Sequence, residues 1–127
     1  MSTDTLINYV ELPCRDIPAT KAFFASVFNW TYTDYGEEYC EFRDKGITGG
    51  LYKADMASLT ATGATLLVFY TPALEETLNG VTTAGGIIIK PIFAFPGGRR
   101  FHFTEPSGNE FAAVSYTHLT LPTTSFV

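Results

Sequence analysis

The amino-acid sequence predicts an α+β fold of two βαβββ modules whose strands form a curved mixed sheet around a concave cavity. Three observations support this fold. The order strand, helix, strand, strand, strand occurs twice, a polar stretch without periodicity separates the two copies, and one helix can cover only one face of its own sheet. We therefore expect a single domain at residues 1–114, with module 1 at about 6–53, a linker at 54–63 and module 2 at about 64–114.

Module 1 begins with an alternating segment, residues 7–14, that predicts a strand. Asp16 is a suitable N-cap for the helix that follows, and Pro18 fits its first turn, where a missing N–H costs nothing. The helix is expected to run to about Phe28. Aromatic and β-branched residues between glycine turns predict three further strands, at 30–35, 38–43 and 51–53.

Module 2 repeats this order. Residues 65–70 predict its first strand, and Thr71 with Pro72 predicts a helix start in the same cap-then-proline style. Gly85 and Gly86 end the helix, because glycine accepts the backbone conformation of a helix C-terminus. Its buried stripe is formed by Leu74, Leu78 and Val81, and the remaining strands are predicted at 86–92, 99–104 and 110–114.

Composition excludes some classes of partner. The chain carries 8 Lys and Arg against 13 Asp and Glu, a net charge of −5, so it lacks the basic surface that nucleic acids and anionic membranes require. We find no apolar run of the roughly 18 residues needed to span a bilayer and no signal-peptide pattern, so a cytoplasmic protein is expected. Cys14 and Cys40 are far apart without a CxxC motif, which favours two buried thiols.

Motifs in both halves carry a family resemblance. Residues 16–24 (DIPATKAFF) and 27–30 (VFNW) are similar to the first-helix signature of vicinal oxygen chelate proteins, with Asn29 in place of a glycine. The segments 84–86 (AGG) and 104–109 (TEPSGN) are similar to the Ala-Gly-Gly and Asp-Pro-x-Gly-Asn motifs of the second half. Over residues 6–114 the chain resembles the glyoxalase/bleomycin resistance/dioxygenase superfamily, and most closely its lactoylglutathione-lyase-related subgroup.

The resemblance also implies where metal ligands would stand. Metal-dependent members carry His or Glu at the start of each module's first strand and Glu on its last strand. Here those positions fall on Tyr9, on Thr65 or Leu66, and on Ala112, while residues 50–52 offer no carboxylate or imidazole. These side chains cannot replace His and Glu around a divalent ion. We therefore predict no metal ligands and no cofactor.

Strand alternation selects the remaining chemistry. If the apolar residues face the helices, the opposite face carries Tyr9, Glu11, Tyr39, Glu41, Arg43, Arg100, His102 and Thr104. Glu11 and Glu41 are candidate general bases, or they pair with Arg43 and Arg100 as ordinary cross-strand ion pairs. His102 is a candidate for proton transfer near pH 7, or a hydrogen-bonded wall residue.

From these residues we predict two sets. The catalytic candidates are Glu11 and His102. The ligand-binding candidates are Tyr9, Glu11, Trp30, Glu41, Arg43, Tyr52, Arg100 and His102, of which Tyr9, Trp30 and Tyr52 could stack on a flat ligand.

Three functions remain open at this point. The first is a glyoxalase-like protein that binds a small organic molecule in its sheet cavity without the usual metal ligands. The second is a lyase or isomerase related to lactoylglutathione lyase, either metal-independent or with non-standard ligands. The third is a fragment whose missing C-terminus completed the site or a dimer contact, since the resemblance allows a homodimer.

The C-terminal segment has a separate interpretation. Residues 114–123 (VSYTHLTLPT) resemble an in-frame translation of a sequencing-library adapter. We therefore expect residues 115–127 to be an artefactual tail on a metagenomic fragment, which excludes His118 as a functional candidate. The alternative is a genuine short strand and tail.

Overall fold

The computed structural model describes residues 4–43 and 46–117, and both halves show the predicted order of elements. The α+β fold of two βαβββ modules is therefore confirmed. Module 1 contains β1 (Val10–Cys14), α1 (Ile17–Phe28), β2 (Tyr32–Asp34), β3 (Tyr39–Phe42) and β4 (Gly49–Lys53). Module 2 contains β5 (Leu67–Tyr70), α2 (Leu74–Thr83), β6 (Ile87–Phe95), β7 (Gly98–Thr104) and β8 (Glu110–Tyr116).

The two modules have the same sheet topology. The first sheet has the order β1-β4-β3-β2 and the second the order β5-β8-β7-β6. In each sheet the first and last strands of the module pair in parallel, as a helical crossover requires, and the other neighbours are antiparallel. The eight strands thus hydrogen-bond as two sheets of four rather than as one continuous sheet.

Helix α1 begins and ends where its sequence indicates. The Asp16 side chain accepts a hydrogen bond from the backbone N–H of Ala19 at 3.0 Å, so Asp16 is the predicted N-cap. At the other end Asn29 has a φ of 61° in the left-handed region. Asn tolerates this conformation better than most residues with a Cβ, which explains how it stands where the resembling motif has glycine.

Helix α2 begins later than predicted. Its first residue is Leu74, and the N-cap Ala73 has no side chain that could bond the helix terminus. The Thr71 hydroxyl accepts a hydrogen bond from the backbone N–H of Ala73 at 3.1 Å, so it closes a turn before the helix instead of capping it. Pro72 accordingly lies outside the helix.

A single aromatic core joins the modules. Phe24 on α1 contacts Phe111 on β8 with ring centroids 5.2 Å apart, and Phe28 stacks on Phe69 of β5 at 4.3 Å. Trp30 stacks on Phe42 of β3 at 4.3 Å and is only 6% exposed. Helix α1 therefore packs against the core-facing side of both sheets, and the core is continuous across the two halves.

The turn between β7 and β8 connects the modules through buried polar groups. Glu105, 3% exposed, accepts hydrogen bonds from the Thr20 hydroxyl at 2.6 Å and from the Ser107 N–H at 2.8 Å. The Asn109 amide donates to the carbonyl of Pro13 at 2.7 Å. The TEPSGN segment thus binds the end of β1 and the first turns of α1.

Two further predictions concern the cysteines and the C-terminus. Cys14 and Cys40 are both free and buried, as predicted. Strand β8 continues through Ser115 to Tyr116, and His118 lies outside the described residues. The domain boundaries and the artefactual origin of the tail stay predictions. In the part of the chain that the structure describes, no helix is long and apolar enough to cross a membrane.

Candidate functional site

The predicted sorting of side chains by strand face is correct. Leu12, Cys40, Phe42, Phe101 and Phe103 are buried in the core. Because successive strand residues point to opposite faces, their neighbours point away from the helices. We call the two surfaces that these neighbours form the outer faces of the first and second sheets.

The outer face of the first sheet carries a chain of hydroxyl groups that ends on a carboxylate. The Tyr39 hydroxyl donates to Oε2 of Glu11 at 2.9 Å. Its only hydrogen is then used, so the contact of 2.6 Å between the Tyr9 and Tyr39 oxygens is donated by Tyr9. Tyr39 therefore links Tyr9, just before β1, to the Glu11 carboxylate on β1.

Gly50 makes room for this arrangement. It lies on β4 between Glu11 and Glu41, its register partners on β1 and β3. A Cβ at this position would overlap the hydroxyl and ring of Tyr39. The absence of a side chain thus allows the Tyr39 ring to cross β4 and reach β1.

Both phenols stay protonated near neutral pH. Burial raises the pKa of Tyr9 and outweighs the hydrogen bond with Tyr39, which lowers it, and the neighbouring carboxylates of Glu41 and Glu11 raise it further. Burial also raises the pKa of Tyr39, with the hydrogen bonds to Tyr9 and Glu11 acting in the same direction. The two hydroxyls are therefore available as hydrogen-bond donors rather than as phenolates.

Glu41 and Arg43 form an ion pair, which is one of the two roles predicted for Glu41, but the two residues are two positions apart in the chain rather than cross-strand partners. Glu41 is 9% exposed, and its Oε1 accepts hydrogen bonds from Nη2 of Arg43 at 2.7 Å and from Nε at 3.1 Å. With Tyr9, Glu11 and Tyr39 these two residues form what we call the first-sheet cluster.

The outer face of the second sheet carries a three-residue network, the second-sheet cluster of Arg100, His102 and Glu110. Nη2 of Arg100 lies 3.0 Å from Nε2 of His102, and Nδ1 of His102 lies 2.9 Å from Oε2 of Glu110. The other oxygen of Glu110 accepts from the Thr60 backbone and hydroxyl at 2.8 and 2.9 Å. His102 and Glu110 are 4% and 5% exposed.

The network determines the tautomer of His102. Arginine can only donate, so Nε2 must be the unprotonated acceptor and Nδ1–H must donate to Glu110. Burial raises the pKa of Glu110, but the hydrogen bonds from His102 and Thr60 outweigh it and hold this pKa below its ordinary value. The site therefore contains a neutral, oriented imidazole beside an ionised carboxylate.

The remaining predicted site residues divide between the two sheets and the core. Tyr52 lies on β4 as the register partner of Tyr39 and Pro13, on the outer face of the first sheet. Trp30 does not lie on an outer face, because its large apolar ring is packed in the core. Glu11 and His102 do not hydrogen-bond each other, since both ring nitrogens of His102 are occupied by residues of the second sheet.

Sequence reasoning missed two members of these clusters as site residues. Strand alternation places Tyr39 on the correct face but does not mark it as a site residue. Glu110 is the cross-strand diagonal neighbour of His102, because the β7–β8 hairpin pairs Thr104 with Glu110 and His102 with Ala112. The turn at 105–109 is recognisable in the sequence. Pairing the residues on its two sides outward from the turn, Thr104 with Glu110 first, would have placed Glu110 diagonally beside His102.

The principal cavities in the described part of the chain do not include the two clusters, although the apolar one borders Val68 and Tyr70 of the second outer face. A cleft of about 680 Å³ is lined by polar residues including Arg15, Lys21 and Glu38, and an apolar one of about 460 Å³ lies between Trp30 and β5. Tyr9, Glu11, Glu41, Arg100 and His102 line none of the principal cavities within residues 4–43 and 46–117. The two clusters therefore lie outside these cavities, and Glu41, His102 and Glu110 are largely covered by neighbouring side chains.

Apolar side chains surround the second-sheet cluster. Tyr70 and Tyr116 stack with ring centroids 5.8 Å apart and are 62% and 53% exposed. Phe93 stacks on His102 at 6.0 Å, and Val68 is also exposed. As for metals, the described residues contain no group of three or more His, Cys, Asp or Glu side chains arranged to hold an ion. The absence of a metal site in the whole protein stays a prediction.

Comparison with known families identifies the fold family. The model of the Glyoxalase/Bleomycin resistance protein/Dioxygenase superfamily matches residues 6–113. The chain belongs to this superfamily. No curated protein matches it significantly, so the narrower lactoylglutathione-lyase-related subgroup stays a prediction.

Solved structures of glyoxalase-superfamily proteins share the fold. A glyoxalase-related enzyme from Fulvimarina pelagi is 17% identical, with a TM-score of 0.74 over 87% of this chain and 88% of that one. A fosfomycin resistance protein from Listeria monocytogenes is 18% identical, with a TM-score of 0.73 over 89% and 94%. A lactoylglutathione lyase from Agrobacterium tumefaciens is 16% identical, with a TM-score of 0.66 over 90% and 96%.

Proposed function

We propose that this superfamily member binds a small organic molecule on the outer faces of its sheets without the usual metal-ligand set. The supporting observation is where the two clusters lie. Tyr9, at the position where the resemblance implies the first metal ligand, belongs to the first-sheet cluster. Ala112, at the position implied for the last ligand, is the register partner of His102. Side chains that hydrogen-bond each other thus lie at or beside both positions where the resemblance implies metal ligands.

The chemistry of the two faces limits the kind of ligand. The first-sheet cluster offers phenolic donors and carboxylates, and the second-sheet cluster offers a guanidinium, an imidazole and exposed aromatic rings. Such a surface suits a molecule with a flat apolar part and several polar groups. The names of the structural relatives indicate that small molecules are handled on this fold, but identities below 20% transfer no ligand to this chain.

A homodimer is part of the proposal. The outer face of the second sheet exposes Val68, Tyr70 and Tyr116. A second copy placed over these residues would remove apolar surface from water and enclose the ligand. Light scattering on the purified protein tests this, and a monomer at micromolar concentration would contradict it.

A second candidate function is a metal-independent lyase or isomerase. The observation that favours it is the oriented His102–Glu110 pair, which resembles the base-and-carboxylate arrangements of general acid–base catalysts. Glu11, the other predicted catalyst, lies on the first sheet. It can contact the same ligand as His102 only if that ligand touches the outer faces of both sheets. Turnover of a bound ligand that is lost in His102→Gln would favour the enzyme over the binder.

Elemental analysis before and after chelation tests the proposed function, followed by a ligand screen on the chelated protein. We expect less than stoichiometric metal, no loss of thermal stability on chelation, and ligands that still bind. A matched pair of variants locates the site: Tyr39→Phe should weaken binding at the first-sheet cluster, and Tyr35→Phe, at an exposed position, should not. A stoichiometric transition metal whose removal destabilises the protein or abolishes binding would overturn the proposal.

A further inference from the structure

We propose that Arg100 recognises an oxyanion of the ligand, a carboxylate or phosphate group, and that binding this anion draws the guanidinium away from His102 and exposes its Nε2 lone pair. The inference deepens the proposed function and rests on it. It assigns a ligand class and a sequence of events to the second-sheet cluster.

The guanidinium is incompletely satisfied in the free protein. Of its five N–H groups one, on Nη2, is used by His102, and the buried Nε has no hydrogen-bond partner among the described residues. An unpaired buried donor is costly, and a planar oxyanion that accepts two parallel hydrogen bonds from an arginine removes that cost. The unsatisfied Nε therefore favours an anionic partner.

The surroundings of Arg100 also favour an anion on a flat ligand. Its guanidinium carbon lies 6.0 Å from the centroid of the Phe93 ring. Lys90, exposed on β6, is the register partner of His102 and adds positive charge to this face. The carboxylate of Glu110 faces the opposite side of the imidazole, where His102 and Thr60 already engage it.

Movement of Arg100 would uncover the Nε2 lone pair of His102 and let this nitrogen accept a proton. Nε2 carries a lone pair because Nδ1–H is held by Glu110, and in the free protein that lone pair is covered by Arg100. Once the guanidinium pairs with the ligand, Nε2 can accept a proton from an acidic C–H or O–H group of the same ligand. The electron pair of that bond stays on the ligand, and the resulting imidazolium is stabilised by Glu110. Return of the proton to another ligand atom restores the neutral ring.

The test is nitrogen-15 spectroscopy of the imidazole in the full chain carrying His118→Gln, which leaves His102 as the single histidine. The probes are inorganic phosphate and benzoate, with benzamide as the uncharged control. Without anion, the spectrum should show one neutral tautomer, protonated on Nδ1. Phosphate and benzoate should shift the Nε2 resonance in a saturable way, and benzamide should not.

Arginine variants separate recognition from general electrostatics. Arg100→Gln should weaken benzoate binding at least about tenfold, the usual worth of a charge-assisted pair, and should abolish the Nε2 response. Arg99→Gln is the matched control, because Arg99 precedes it on the same strand, lies on the other face and pairs with Glu75. Arg100→Lys keeps the positive charge, so it should retain phosphate binding. Because lysine lacks the guanidinium group, this variant should lose the hydrogen bond that Nη2 donates to Nε2 of His102.

The outcomes distinguish this inference from the proposed function. Equal weakening by the Arg99 and Arg100 variants, or no response of Nε2 to either anion, would overturn the role of Arg100. If neutral or cationic library ligands bind and perturb the first-sheet cluster while both anions fail, small-molecule binding stands and the anion inference is wrong. If no library ligand binds at all, both proposals fail.

Discussion

Asn109 shows how a single residue can hold two modules together. The residue is 1% exposed, and both the oxygen and the nitrogen of its side-chain amide are hydrogen-bonded. Oδ1 accepts from the backbone N–H of Ser58 at 2.8 Å, and Nδ2 donates to the Pro13 carbonyl and to Glu105 at 2.7 and 2.8 Å. The linker, β1 and the β7–β8 turn thus meet on one amide group.

Asn109→Ala should lower the free energy of unfolding by about 2–4 kcal/mol, because it leaves buried groups on Ser58 and Pro13 without partners. Urea denaturation measures this. Asn79→Ala, at an exposed position on α2, is the control and should change stability by no more than about 0.5 kcal/mol. Equal small effects of both variants would show that the Asn109 contacts contribute little.

Glu110 makes stability depend on pH. Its pKa in the folded protein lies below the ordinary value of 4.5, so the ionised form favours folding. This contribution is complete above about pH 5 and is lost as the pH falls through the folded-state pKa. Glu110→Gln should therefore show a flatter loss of unfolding free energy between about pH 5 and 3 than the parent protein.

Urea denaturation at several pH values tests this prediction. Glu76→Gln removes an exposed carboxylate from α2 and should follow the parent curve. Parallel curves for the parent and Glu110→Gln would mean that the His102 and Thr60 contacts do not lower the Glu110 pKa.

At the scale of elements, two glycines, one inside α2 and one between α2 and β6, have different surroundings. A Cβ on Gly80, inside the helix, would make only an ordinary contact with Val27 at 3.9 Å. A Cβ on Gly86, just before β6, would lie 2.6 Å from Cγ1 of Val81 and 3.0 Å from the Phe23 ring. The first position tolerates a side chain, and the second requires its absence so that helix and strand can pack closely.

Gly80→Ala should raise the free energy of unfolding by about 0.5–1 kcal/mol, because alanine loses less backbone entropy in a helix. Gly86→Ala should lower it by about 1–3 kcal/mol through overpacking against Val81 and Phe23. Thermal and urea denaturation of the two variants measure the expected rise and the expected fall in the free energy of unfolding. A stabilising Gly86→Ala would contradict the close approach of α2 and β6.

At the scale of the whole molecule, the continuous core predicts that the two modules unfold together. Phe24 and Phe28 of module 1 are packed on Phe69 and Phe111 of module 2, and Trp30 takes part in the same cluster. Neither module can open without exposing the aromatic surface of the other.

Trp30 fluorescence and far-UV circular dichroism should therefore follow the same urea transition. The thiols of Cys14 and Cys40 should react with a disulfide reagent only within that transition, since both are fully buried and burial raises the pKa of Cys40 to about 11. Two separated transitions, or thiol reaction in the native baseline, would show that module 1 opens independently.

Much of the fold was predictable because it depends on local patterns. The alternation in β1, β3 and β7, the Asp16 cap and the glycines after α2 identify the elements and the side chains that face the core. The start of α2 was not predictable, because the Thr71 hydroxyl can either cap a helix or close a turn. Only the packed structure shows that it closes a turn. Trp30 lies in the core and beside the apolar cavity, and its contact with a ligand stays a prediction, because an aromatic side chain fits a core and a ligand site equally well.

The sequence by itself determined the family, the two modules and the outer faces, because each depends on strand alternation or on motifs a few residues long. It left Glu41 open between a general base and an ion pair with Arg43, and the structure shows the ion pair. Only the tertiary structure decided which polar groups meet. Tyr39 reaches Glu11 across Gly50, His102 is held between Arg100 and Glu110, and Glu11 remains on a different sheet from His102. These contacts join residues on different strands, and their geometry depends on register, sheet twist and packing, which no local pattern specifies.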